Sequence, residues 1–147
     1  MATSYEKDVV VWSIEQAALI RAGRFDLLDL ENIAEEILDV GKSEQRELAN
    51  RMALLLAHLL KWQFQAERRG SSWQRTIKAQ RKGVLSRLDE TPSLRGKLSD
   101  VRWFDTVWSD ALAQATNETG LDVFPEVCPW AMDEILAADW FPVSQND

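Results

Sequence analysis

The strongest constraint on this chain is an apolar stripe. Leu30, Ile33, Ala34, Ile37, Leu38, Gly41, Leu48, Met52, Leu55, Leu59 and Trp62 fall within one arc of a helical wheel, roughly 140° wide. A strand alternates its faces every second residue, so a pattern with this period folds as a helix. Asp29 supplies an N-cap oxygen, and Glu31, Glu35 and Glu36 place negative charge at the start, where the helix dipole favours it. The amphipathic segment runs from Asp29 to Glu67.

Gly41 interrupts it, and a glycine inside a helix costs about 0.5 to 1 kcal/mol relative to alanine. The stripe keeps its phase across Gly41, which lies on the stripe itself, where a missing side chain lets another helix approach. One unbroken helix is expected. At 1.5 Å per residue it would extend close to 55 Å, beyond the usual span of so small a domain. Its ends must be covered, either by other helices stacked along it in two groups or by a second copy of the chain.

The other elements follow similar signals. Tyr5, Val9, Trp12, Leu19 and Ile20 suit a first helix ending at Gly23, although the run Val9 to Val11 leaves a strand possible. Ser71 and Gln74 form a capping-box pair before a helix carrying Trp73, Ile77, Val84, Leu85 and Leu88 and ending near Glu90. Thr91 and Pro92 are an N-cap and N1 pair for a helix through Leu94, Leu98, Val101, Trp108, Leu112 and Ala115 to Gly120. Pro129 opens a short helix through Trp130, Ile135 and Leu136, closed before Pro142, and the last residues fray. The reading is all-α: a bundle of four main helices plus a short C-terminal helix, organised on one long helix, in a single domain over residues 1–147.

With 46% hydrophobic and 28% charged residues in 147, the chain can build a core and is not disordered. Its single cysteine, Cys128, has no partner for an intramolecular disulfide. No segment approaches a signal-peptide core or a membrane span, so the expected location is the cytoplasm.

The formal net charge of −7 is unevenly distributed: −5 over residues 1–60, +7 over 61–102 and −9 over 103–147. Within the basic middle, Arg68, Arg69, Arg75, Lys78, Arg81, Lys82 and Arg87 are interleaved with Trp73, as in a phosphate-contacting surface with one stacking residue. Internal pairing with the acidic flanks accounts for the same pattern.

Catalytic equipment is sparse. The helical neighbours of His58 are Leu54, Leu55, Lys61 and Trp62, so no carboxylate joins it locally in a metal site. Glu31, Glu35 and Asp39 lie opposite the stripe and face solvent, whereas Glu36 borders it and could meet Lys61 or Arg81 of a neighbouring helix. No phosphate loop, nucleophile elbow or paired Cys/His ligands occur, Cys128 has no adjacent cation to activate it, and neither metal nor cofactor is expected.

The stretches EQAALIRAGRFDLLDLENIAEEILDVGKSE, LLAHLLKWQFQ, SSWQRTIKAQR, TPSL and FPEVCPW together resemble the bacterial family known as domain of unknown function 29. Ala66 departs from the proline that many members would carry there. The resemblance implies an all-helical bacterial protein and brings no activity, cofactor or partner with it. It does direct attention to the polar residues of these motifs: Gln16, Arg21, Glu31 and, as a candidate polar site, Asp29, Asn32, Glu36, His58, Lys61, Trp62, Trp73, Gln80 and Arg81.

Three functional classes follow. The long stripe, seven tryptophans and missing catalytic motifs favour a small interaction or assembly protein, expected to form a homodimer, with a protein partner as a further option. The basic segment 61–102 offers polyanion or nucleic-acid binding, against which the acidic pI of about 4.8 weighs. An enzyme or small-ligand site would require Glu36, His58, Lys61 and Arg81 to converge.

Overall fold

In the computed structural model, which describes residues 3–144, every α-helix has a local cause in the sequence. Helix α1 (Val9–Arg21) starts where the Asp8 carboxylate accepts from the amides of Val10 and Val11, each at 3.1 Å. That cap settles the β-branched run as helix. It ends in a Schellman turn: Gly23 adopts φ +72°, its amide reaches Ile20 O, and the Arg24 amide reaches Leu19 O.

Helix α2 (Leu30–Phe64) continues through Gly41 as one element. The close approach expected at Gly41 is not found among the described residues: a Cβ there would meet nothing within 4 Å. Helix α3 (Ser71–Glu90) starts from Gly70 without a side-chain cap, so the Ser71/Gln74 capping box does not form. Gly70 is fully extended and places Ser71 inside the first turn.

The segment after Thr91 differs from the single helix expected. Pro92–Ser99 forms 3-10 turns, Thr91 makes no side-chain cap, and α4 (Val101–Thr119) starts at Asp100, whose carboxylate accepts from the Trp103 amide at 3.1 Å. A second good N-cap inside the segment restarts the helix and divides it. Gly120, at φ +71°, closes α4. Helix α5 (Met132–Leu136) begins after Pro129 and Trp130, where Glu134 Oε1 reaches back to the Ala131 amide at 3.0 Å. The fraying expected at the C-terminus falls on residues 145–147, outside the described residues; just before them, Val143 O accepts from Gln63 Nε2 at 2.9 Å.

All regular elements among the described residues are therefore helical, four main helices with a short fifth. The chain divides between Glu44 and Gln45 into two compact units, both supplied by α2. In the second unit, Leu48, Met52, Leu55, Leu56, Leu59 and Leu60 of α2 are fully buried with Ile77, Val84 and Leu88 of α3, Val107, Trp108, Ala111 and Ala115 of α4, and Ile135 of α5. Aromatic contacts fasten its C-terminal segment: Trp108 meets Trp130, Trp130 meets Trp140, and Phe141 lies 4.5 Å from Trp62.

The first unit is built differently. Its described buried residues are only Trp12 and Gln16, and the joint between α1 and the start of α2 is largely polar.

Candidate functional site

Within each unit, the polar residues picked out from the sequence have partners of their own. In the first unit, Asp29 Oδ2 accepts from the indole N–H of Trp12 at 2.9 Å and from the Asn32 side-chain amide at 2.8 Å. The Asp29 amide in turn donates to Gln16 Oε1 at 2.9 Å. The Asn32 side chain holds the Asp29 carboxyl below its ordinary range, with the Trp12 indole and the Asn32 backbone amide adding to the effect. These bonds lock α1 to the N-terminus of α2.

Glu36 accepts from the Tyr5 hydroxyl at 2.5 Å, and this bond pushes the phenol pKa up to about 12. Glu36 thus has a hydrogen-bond partner within the first unit. A neutral hydroxyl satisfies this carboxylate without drawing a cation to it.

In the second unit, His58, Lys61 and Trp73 come together, joined by Glu118. The His58 Nδ1–H donates to Leu54 O at 3.0 Å, which leaves Nε2 as an acceptor facing Lys61 Nζ at 3.4 Å. Burial, followed by the Lys61 charge, depresses the imidazole pKa, and the ring is neutral. Lys61 is itself buried, pairs with Glu118 and lies 5.2 Å from the Trp73 ring centre. The ammonium thus has a carboxylate, an imidazole nitrogen and an indole ring around it, and the cluster is a half-buried ion pair with a neutral histidine beside it. Glu118 lies 57 residues from Lys61, and no local pattern announced it.

Arg81 is buried at 3% exposure and spends its guanidinium on main-chain carbonyls: Nε donates to Ile135 O at 2.8 Å, and the terminal nitrogens donate to Ala138 O and Trp140 O. It also lies 5.6 Å from the Phe141 ring centre. The Trp62 ring meets both Phe141 and the Arg69 guanidinium, the latter 5.0 Å away. Arg81 and Trp62 therefore secure the C-terminal segment. Gln80 meets a different residue, accepting from Arg51 at 3.5 Å.

Much of the basic segment is thereby consumed. Arg87 pairs with Glu47, Arg69 stacks on Trp62 and Arg81 holds carbonyls, whereas Arg68, Arg75, Lys78 and Lys82 are exposed. The stacking residue expected among them, Trp73, is partly buried beside Lys61.

Cys128 is half-buried, its thiol pKa raised by burial, with Sγ 3.6 Å from Trp130 O. Among the described residues no three His, Cys, Asp or Glu side chains gather as a metal site, and no helix is long and apolar enough to cross a membrane.

A groove of about 420 Å³ lies between α3 and the C-terminal segment, with Ile77, Leu85, Leu136 and Phe141 along it and Lys78 and Lys82 at its edge.

Neither a curated protein nor a solved structure matches the chain. A family model, described as Domain of unknown function DUF29, matches residues 4–141. The match reaches across most of both units, and the chain belongs to that family.

Proposed function

We propose that this protein is an assembly module in which the first unit docks onto a second copy of the chain. The supporting observation is the uneven fate of the α2 stripe. From Leu48 onward it is sealed in a core, whereas Leu30, Ile37 and Leu38, on the same arc, are each 59–67% exposed. Eleven of the sixteen large apolar side chains exposed among the described residues lie between Val9 and Val40.

Folded chains rarely leave contiguous apolar patches above a few hundred Å² uncovered, and a standard interface takes about 800 Å² from each partner. Val10 and Ile14 on α1, with Leu30, Ile37 and Leu38 on α2, supply aliphatic surface without buried polar atoms to desolvate. Glu31, Glu35 and Asp39 lie away from the stripe, so two stripes can meet without bringing these carboxylates together. The space over Gly41 is open, as close approach of a helix from another copy requires. A two-fold pairing of identical patches satisfies both surfaces at once.

The tryptophans support this reading less than the sequence suggested. None is exposed, and the aliphatic residues make the surface. The polyanion alternative is supported by the exposed Arg68, Arg75, Lys78, Lys82 and Arg102, and the small-ligand alternative by the meeting of His58 with Lys61 in the second unit.

Light scattering coupled to size exclusion tests the proposal. A dimer at tens of micromolar is expected, converted to a monomer of unchanged circular dichroism by Ile37→Glu with Leu38→Glu. A wild-type chain that is monomeric at that concentration overturns it.

A further inference from the structure

We propose that the groove between α3 and the C-terminal segment binds an amphipathic monoanion, a medium-length aliphatic chain ending in a carboxylate. The groove lies wholly within the second unit and takes no residue from the proposed assembly surface. Its volume of about 420 Å³ falls within the range of small-molecule sites, about 300 to 1,000 Å³.

The floor calls for an apolar tail. Ile77, Leu85, Leu136 and Phe141 line it, and Leu85 remains 41% exposed although it points into a concave surface. The edge calls for an anionic head. Lys78 and Lys82 are one turn apart on α3, where like charges disfavour each other. Both are exposed, and neither meets a carboxylate within ion-pair distance among the described residues. An anion between them relieves that repulsion.

Arg81, on the same face of α3, is not a third ligand. Its donors are committed to Ile135, Ala138 and Trp140, so its role is to fix the far wall of the groove. Asp139 is the one carboxylate of the lining, and two free lysines outweigh it. The Phe141 ring already has Trp62 4.5 Å away and the Arg81 guanidinium 5.6 Å away, and with Ile77, Leu85 and Leu136 beside it the lining is mainly aliphatic, which favours an aliphatic tail.

The test is titration of the full chain with octanoate at millimolar concentration, below micelle formation, followed by calorimetry and by amide shifts. Octanoate is expected to bind and to shift amides of α3 and of residues 135–141. Octanol should bind about tenfold more weakly, the loss of one charge-assisted contact, while acetate, without a tail, and octylammonium, with the wrong charge, should not bind. The double variant Lys78→Glu, Lys82→Glu changes only exposed side chains, so it should keep the wild-type melting curve and lose octanoate binding. Leu85→Trp, which fills the groove, should also weaken it. Absence of octanoate binding, equal binding of octylammonium, or undiminished binding in the double-lysine variant would each overturn the proposal.

Discussion

The two ends of α2 have the same pattern and opposite surroundings. From Leu48 to Leu59 the apolar arc is sealed by α3, α4 and α5; from Leu30 to Gly41 all of it but Ile33 is exposed. The two units also hold together by different means. The second is an interlocked hydrophobic core, in which polar groups such as Lys61 and Arg81 are buried only because each has a specific partner. The first is a helical hairpin pinned by hydrogen bonds around Asp29 and Glu36, with little apolar burial of its own. A hydrophobic period specifies a helix face but not what will cover it.

The largest effect expected from this contrast comes from paired truncations. Leu59→Ala should cost about 2 to 5 kcal/mol, the combined loss of transfer energy and an unfilled cavity, whereas Ile37→Ala at high dilution should stay within about 0.5 kcal/mol. Urea unfolding of both variants measures the difference, and equal costs would mean that the two halves of the stripe are covered alike.

A smaller effect tests the hairpin. Trp12→Phe keeps a buried ring but removes the indole donor to Asp29, and should cost about 1 to 2 kcal/mol of local stability. Amide exchange should quicken in α1 and the start of α2 and remain slow from Leu55 to Leu60. Uniform quickening along α2 would show that the two regions open as one.

Gly41→Ala should act in the other direction. The position is open, so the monomer gains about 0.5 to 1 kcal/mol of helix stability. If a second copy packs there, the same methyl group weakens the dimer. Thermal melts over a concentration series separate the two contributions.

The mildest prediction concerns pH. Burial depresses the His58 pKa below the ordinary 6.5. Between the depressed value and 6.5, the unfolded chain binds a proton that the folded chain does not, so stability rises with pH through that window and is lost on acidification. His58→Gln should flatten this slope in urea midpoints measured downward from neutral pH. An unchanged slope would assign the acid sensitivity elsewhere.

The sequence made the helices legible because helix formation is local. Asp8, Gly23, Asp29 and Gly120 mark their boundaries with side chains or backbone freedom acting within one turn. It misled where two local signals competed: the Thr91–Pro92 start was overridden by Asp100, and the Ser71/Gln74 box was displaced by an extended Gly70. The polar residues of the motifs were found as residues but not as groups. Tyr5 with Glu36, Lys61 with Glu118, and Arg81 with the carbonyls of Ile135, Ala138 and Trp140 span 31 to 59 positions, far beyond any periodic signal.

Local patterns in the chain were enough for an all-helical fold and for the side of the long helix on which its charges lie; that the helix runs unbroken through Gly41 was an expectation that the structure bears out. Only the tertiary structure decided which charges are spent inside the fold and which remain free, and which half of the stripe is covered. The physical reason is range: caps, periods and dipoles act over one or two turns, whereas burial and ion pairing depend on what the rest of the chain brings to the same place.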